Sequence, residues 1–522
     1  MNLIKDQWIP VKRADGTVCR IAPWEIGISD NPVVEISAPR PDFRGALYQF
    51  LIGLVQTAFA PEDDDEWVER WDNPPSCQVL KDAFEKFSEA FELVNENGPA
   101  FMQDYDLPAK AEPTPIRALL IDSPGANSVK NNTDHFVKRN AINFLCEGCT
   151  AIALLTLQIN APSGGQGHRT GLRGGGPLTT LVVPENRPKG LWSIIWLNVL
   201  ATLEEFESLP NAPEQNVFPW LGPTRESSGD KKTYPADVNF LQQFWPMPRR
   251  IRIDCDTKQQ YCDICGVESF CFSIINSTNY GVSYSSTWKH VLSPYRVQIE
   301  KDSTTSMLAM KGKQGGFTYV DWMALTIGFE ESEIPAAVVR SALATKVFSS
   351  AKIGNLQTWC FGFDMDNMKA RCWYDQIMPL VLLSPGKKDT FIEVVQKMIE
   401  AADSTSKLLR DNVKAAWFER PKDASGDTSF INSTFWQETE LPFFIQIERL
   451  RTALEADRSI DAIMADWRTI IINAAEKIFD RFALQPTDEI KNMKRIVMAS
   501  QSLTNSLHSI KNKSLNALKE VL

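Results

Sequence analysis

The sequence predicts an α+β protein in two parts: a large mixed α/β globular domain over residues 1–378 and an antiparallel four-helix bundle over residues 379–522. Three observations carry this prediction. Up to Met378, short apolar segments alternate with clusters of Gly, Pro, Asn and Asp, the punctuation of strands, turns and short helices. From Pro379 onward, four long stretches repeat apolar residues near a 3.6-residue period. Two Cys-x-x-Cys pairs, Cys146/Cys149 and Cys262/Cys265, both fall in the first part and would fasten it.

The elements follow in order. "QWIPVKR" and "TVCRIAP" read as strands around a turn at Asp15-Gly16, followed by a helix with Ala46, Leu47, Phe50, Leu51, Leu54 and Val55 on one face. Residues 78–96 read as a second amphipathic helix, and residues 120–145, polar and aperiodic, as a loop. A helix spans Cys149–Leu157 and ends at Ala161-Pro162-Ser163-Gly164-Gly165; "PLTTLVV" is a β-branched strand. Residues 190–206 read as helix, residues 208–250 as irregular, and residues 251–345 as short strands with loops. The four late helices are expected at about 388–418, 432–456, 459–484 and 487–520, the first opened by a capping box of Thr390 and Glu393. Their mostly short connections predict antiparallel neighbours.

The bulk properties exclude several classes. A chain that is 43% hydrophobic with 15 tryptophans buries large cores, so global disorder is out. A formal charge of −10 argues against coating DNA by charge alone, while leaving room for local basic patches or docking into a larger assembly. "MNLIKDQWIP" lacks the apolar core of a signal peptide. The longest apolar segment, "LWSIIWLNVLATL", is too short to span a bilayer and carries Asn198, so it reads as a buried helix. The expectation is a cytoplasmic protein with no membrane partner and mostly reduced cysteines.

Paired thiolates two residues apart can converge on one ion, and Gly266 after Cys265 suits a tight knuckle. Two such pairs supply four thiolates, a closed tetrahedral set, which predicts a structural Zn2+ held by Cys146, Cys149, Cys262 and Cys265. Cys255 and Cys271 lie near enough in sequence to exchange with one ligand. A catalytic zinc would need an open position and usually His or carboxylate ligands, and none of the four histidines stands in an H-E-x-x-H pattern. A redox dithiol lacks a thioredoxin-like context, and four unrelated buried cysteines remain the plain alternative.

"SGGQGHRTGLRGGG" is not a phosphate-binding P-loop, and it leaves a helix rather than entering one. Its glycines allow close backbone approach to a ligand, and Arg169 and Arg173 are candidate phosphate contacts; a flexible linker with solvated arginines is the competing reading. Further basic positions are Lys130, Lys138, Arg139, Arg249, Arg250, Arg252, Lys311, Lys313, Lys369 and Arg371, which together suggest a nucleic-acid path. Asp364 and Asp366 have metal-like spacing but lack the other ligands of a calcium loop, so "FGFDMDNMKARCWYD" reads as a tight turn exposing Asn367, Met368 and Lys369.

With these residues in view, the chain resembles the large-subunit (CasA) family of the type I-E CRISPR surveillance complex, Cascade. The resemblance covers nearly the whole length and rests on "MNLIKDQWIPV", "LCEGCTAIAL", "INAPSGGQGHRTGLRGGGPLTT", "CDICG", "GFDMDNMKARCW" and the C-terminal helices. It implies a non-catalytic DNA-recognition subunit that reads the short PAM flanking the target, starts strand separation and helps recruit a helicase-nuclease. Guide-RNA pairing reads the target itself. The implied partners are other Cascade subunits, CRISPR RNA, double-stranded target DNA and the helicase-nuclease.

Carried over residue by residue, the resemblance puts the zinc ligands on Cys146, Cys149, Cys262 and Cys265. It puts the minor-groove glycine loop on Ser163, Gly164, Gly165, Gln166 and Gly167, a contact to the RNA-handle end on Phe136, Val137 and Lys138, and a strand-separating wedge on Asn367, Met368 and Lys369. The family's glutamine wedge has no counterpart at this tip, so Met368 would act as an apolar wedge. The family's lysine finger falls at Asn279. A zinc-stabilised scaffold without DNA readout and a zinc-dependent hydrolase are the competing functions.

Overall fold

The computed structural model describes residues 1–125, 130, 139–186, 190–201, 214–299, 305–329, 332–344, 353–366, 369–384, 386–423, 426–484 and 492–519. The strands, in chain order, are β1 (Ile9–Arg13), β2 (Val18–Ile21), β3 (Val33–Ile36), β4 (Glu112–Pro115), β5 (Leu145–Cys146), β6 (Thr179–Pro184), β7 (Arg250–Ile253) and β8 (Thr257–Tyr261). They continue with β9 (Glu268–Phe272), β10 (Ile274–Thr278), β11 (Tyr295–Ile299), β12 (Thr305–Ala309), β13 (Glu333–Ile334), β14 (Leu356–Asp366) and β15 (Lys369–Leu380). Among the described residues these form small sheets in the orders β2-β1-β3, β4-β10-β7, β12-β11-β13, β15-β14-β6 and β5-β9-β8.

The helices are α1 (Pro41–Ala58), α2 (Asp64–Asp72), α3 (Cys77–Glu85), α4 (Glu147–Asn160), α5 (Gly190–Trp196), α6 (Tyr319–Thr326), α7 (Ala337–Leu343), α8 (Lys388–Trp417), α9 (Ser429–Glu455), α10 (Asp461–Ala483), α11 (Met493–His508) and α12 (Lys513–Ala517). Among the described residues no helix is long and apolar enough to cross a membrane. The fold is thus mixed helix and sheet.

Two compact units divide the chain: Met1–Gln314 with Ala324–Ile377, and Gly315–Met323 with Met378–Leu522. The segment Gly315–Met323 therefore belongs with the late helices, unlike the simple cut after residue 378. The cause is packing: the Tyr319 ring stacks on Phe443 at 4.3 Å, and its hydroxyl pairs with Thr439. Trp322 meets Phe391, Phe443 and Phe444 edge-on and donates to the Pro379 carbonyl. α8 lies against α9, α10 and α11.

The first unit is organised by α1, whose apolar face enters an aromatic cluster. Phe50 meets Trp8, Phe91, Phe101 and Trp245 edge-on, and Phe218 and Trp220 complete the group. Edge-to-face rings pack a core densely while matching their quadrupoles. Trp67, Trp192 and Trp196 form a second stack around Trp196.

Several expected elements are shorter than their apolar pattern. The helix read over 78–96 stops at Glu85, and the chain turns through Ser88–Phe91 to deliver Phe91 to the core. The helix read over 190–206 ends at Trp196. There Asn198 turns its side chain onto the Ile194 carbonyl and onto both backbone groups of Val182, satisfying buried polar groups that helix continuation would leave open. The single helix read over 487–520 is broken: Asn512 caps Leu515 N and Asn516 donates to Ser509 O, so side chains compete with the helical ladder. α6 and α7 lie in the segment read as strands and loops.

The expected capping box also fails. α8 starts at Lys388 after Lys387, so Thr390 sits inside the first turn, and Glu393 pairs instead with Lys397 at 2.9 Å. Thr390→Ala should therefore change stability by less than about 0.5 kcal/mol, where loss of a true cap costs roughly 1 kcal/mol. Chemical denaturation of the two proteins checks this.

A candidate metal centre and nucleic-acid interface

The four cysteines come from two elements that the fold brings together. Cys146 ends β5 and caps α4, its sulfur accepting from Cys149 N. Cys262 and Cys265 sit on the β8–β9 turn, which closes by Gly266 N donating to Cys262 O at 2.9 Å, with Gly266 at φ +71. The left-handed conformation there suits glycine. Asp263 fastens this turn to the strand before Cys146 by accepting from Asn143 N and Phe144 N at 2.7 and 2.8 Å. Asp263 went unnoticed in the sequence, although its place inside the Cys-x-x-Cys is the signal that marks it.

All four sulfurs lie within 4.8 Å of one another, and those of Cys146 and Cys265 are 3.7 Å apart. A tetrahedral ion with metal–sulfur bonds of about 2.3 Å requires edges of about 3.8 Å. The donor set therefore fits a metal ion. Mutual hydrogen bonds polarise the thiols: the bond with Cys146 comes first in raising Cys149 and first in lowering Cys262 and Cys265, the last to about 6. The lowering at Cys262 and Cys265 favours the thiolate form that metals take, while Cys146 and Cys149 at the start of α4 are pushed up. Cys255 and Cys271 are not part of the cluster, which corrects the expectation of ligand exchange. Cys271 faces Cys146 across β9–β5, its sulfur donates to Gln260 O, and burial pushes it up to about 11. Cys255 is exposed.

The glycine stretch begins where α4 ends. Its neck is closed by Gly171 N on Ala161 O and Gly176 N on Asn160 O, which project residues 162–167 as a loop. Ser163, Gly164, Gly165 and Gln166 are exposed. Gly165 and Gly167 have φ of +92 and +76. Tyr280 N donates to Gly167 O at 2.9 Å, and a Cβ on Gly167 would sit 2.7 Å from that of Asn279. The loop and the Asn279 turn, read separately in the sequence, are thus in direct contact.

The same neighbourhood includes the β14–β15 hairpin. Gly176 packs against Met365, Gly312 bridges to Asp364, and exposed Lys311 flanks Gly174. Asp364 and Asp366 hold Arg371 at 2.8 and 3.4 Å, so these carboxylates anchor the hairpin stem rather than forming a cation loop. Lys369 is exposed at the start of β15, while Asn367 and Met368 lie outside the described residues, as do Phe136, Val137 and Lys138.

Two groups of arginines are corrected. Arg173 is buried: its guanidinium donates to Thr179, Ser293 and Gln49, so it braces the core beneath the glycines and is not a phosphate contact. Arg250 lies in a buried ion network with Asp104 and with Glu226, and Arg252 donates to the carbonyls of Asn95, Gly98 and Asp104. Their guanidiniums are thus taken up by acceptors of the chain itself. Arg169 is half-buried, bound to Ser227 through Nε at 2.7 Å, with its guanidinium 5.9 Å from the centre of the Tyr280 ring.

Comparison with known proteins agrees with this architecture. The family model of CRISPR-associated protein Cse1 matches residues 2–478. The fold is similar to Thermobifida fusca Cse1, with a TM-score of 0.74, 15% identity and coverage of 100% of this chain and 99% of that one. It is similar to Thermus thermophilus CasA (Cse1), with a TM-score of 0.69, 18% identity and coverage of 97% and 99%. It also resembles a chain solved in a CRISPR RNA-guided surveillance complex, with a TM-score of 0.67, 14% identity and coverage of 98% and 99%. The chain therefore belongs to the CRISPR-associated Cse1 family, the CasA large subunits of type I-E Cascade.

Proposed function

We propose that this chain is the DNA-recognition subunit of an RNA-guided surveillance complex. In this reading the loop Ser163–Gly167 enters the minor groove of the PAM duplex, with Asn279 beside it as the finger. The hairpin tip Asn367, Met368 and Lys369 opens the first base steps. The segment Phe136, Val137 and Lys138 meets the RNA-handle end. Other Cascade subunits and CRISPR RNA hold the chain in place, and strand opening is what a helicase-nuclease then finds. The chain itself breaks no bond. Four thiolates hold a structural Zn2+, which ties the root of α4 to the β8–β9 turn. Residues 1–378, less the segment Gly315–Met323, act as the recognition domain, and residues 379–522 with that segment as a helical bundle.

One observation carries the reading: an exposed, side-chain-poor loop with two left-handed glycines is seated directly on the Asn279 turn. A minor groove about 6 Å wide admits bare backbone, and its degenerate pattern of acceptors suits a reader that tolerates several motifs. The net charge of −10 fits a subunit that needs its partners in order to hold DNA.

The test is Gly165→Asp in the complex assembled with guide RNA. There is open space around Gly165, so the substitution leaves the fold intact while adding backbone strain and a negative charge. Affinity for a PAM-bearing duplex should fall tenfold or more, about 1.4 kcal/mol, with binding of a complementary single strand unchanged. Equal duplex affinity would sink the loop assignment and favour a scaffold without DNA readout.

A further inference from the structure

Arg249 and Arg250 are neighbours in the chain with opposite electrostatic surroundings. Arg250 is met by Asp104 at 2.5 Å, Asp106 at 3.6 Å and Glu226. Arg249 pairs with no carboxylate among the described residues. Its Nη2 donates to the Pro162 carbonyl, its backbone N donates to Gln158 Oε1 at 3.0 Å, and its Nη1 is buried without a partner. Burial alone pushes it down to about 10, which leaves it cationic at neutral pH. His168, packed against Gly164, is held down by desolvation and then by the Arg249 charge, so it adds no competing cation.

Arg249 is half-buried with its Nη1 enclosed, and a desolvated charge without a counter-ion is costly unless something compensates it. Arg249 sits directly under the root of the exposed glycine loop, whose own residues Ser163–Gly167 carry no charge. Its low-dielectric surroundings project its field outward through that bare backbone. From the loop root and the missing carboxylate, we infer that Arg249 is the electrostatic positioning residue of the glycine loop, its compensating charge being the phosphodiester backbone of the duplex that the loop engages. It acts through Pro162 and through its field, without touching the DNA. The inference rests on the loop reading above.

The test compares complexes assembled with guide RNA and carrying Arg249→Gln, Arg249→Met, Arg249→Lys or Gly165→Asp. Association with a fluorescent PAM-bearing duplex is followed at about 0.1 M and about 1 M salt, where the Debye length shrinks from ~10 Å to ~3 Å. Arg249→Gln and Arg249→Met should slow association roughly tenfold at the lower salt and much less at the higher. Arg249→Lys should stay within about threefold of the parent. Binding of a complementary single strand should not change. Melting temperatures of the neutral variants should equal or exceed that of the parent, since a half-buried cation without a carboxylate partner has been removed. A lowered melting temperature with association unchanged at both salts would make Arg249 merely structural and overturn the inference. If Gly165→Asp loses duplex binding while the neutral Arg249 variants do not, this inference fails alone; if neither loses it, the loop reading fails with it.

Discussion

Cys149→Ser should cost the first unit about 3 kcal/mol or more of stability and release one equivalent of zinc. Structural zinc contributes roughly 10–16 kcal/mol of binding free energy that is also folding free energy, and one of four thiolates carries on the order of a quarter of it. The loss is large because Cys149 lies on the first turn of α4, the helix from which the glycine loop emerges. Without the ion, four mutually hydrogen-bonded thiols remain in a partly buried cluster, and the β8–β9 turn keeps its own ladder, Asp263 and the β5–β9 pairing but loses the bond that ties its sulfurs to α4. Metal analysis, with thermal melting before and after a chelator, tests this. The parent should lose stability on chelation and Cys149→Ser should not. A parent that melts identically with and without chelator would remove the structural metal.

Gly281→Ala should be the most disruptive single methyl around the glycine loop. A Cβ there would lie 2.2 Å from the Pro248 carbonyl oxygen and 2.6 Å from its carbon, both backbone atoms with nothing flexible to yield. Overpacking of this kind typically costs about 1–3 kcal/mol. The clash pushes the Asn279–Gly281 turn away from Pro248 and Arg249. It should therefore separate this turn from the glycine loop it touches through Tyr280 N and Gly167 O. Duplex affinity of the assembled complex should drop by at least tenfold, about 1.4 kcal/mol, with single-strand binding nearly intact. Unaltered duplex binding in a destabilised protein would mean that the Asn279 turn plays no part in recognition.

Much of this was legible in the chain itself. The two Cys-x-x-Cys pairs announced a shared site because the spacing lets two thiols of one turn converge, and they do converge. The long 3.6-period stretches marked α8, α9 and α10 to within a few residues, because their apolar faces are packed along their whole length. In two places where periodicity failed, a polar side chain had intervened: Asn198 ended α5, and Asn512 split the last helix. Thr390 and Glu393 had the sequence form of a capping box, but α8 begins before them.

The charged residues were the least readable. Arg173, Arg249, Arg250 and Arg252 look alike in the sequence, as basic residues in irregular or glycine-rich segments. Tertiary structure gives them different roles: a buried brace, an unpaired cation under the loop, the centre of an ion network, and a donor to backbone carbonyls. Residue type determines that a guanidinium is charged and forked; only the three-dimensional arrangement decides which acceptors surround it. The sequence by itself determined the family, the thiol set, the bare glycine loop and the first three late helices, since each depends on spacing along the chain. Only the fold decided that the loop, the Asn279 turn, Lys311 and the hairpin stem share one surface, because contacts between residues more than a hundred positions apart leave no local pattern to read.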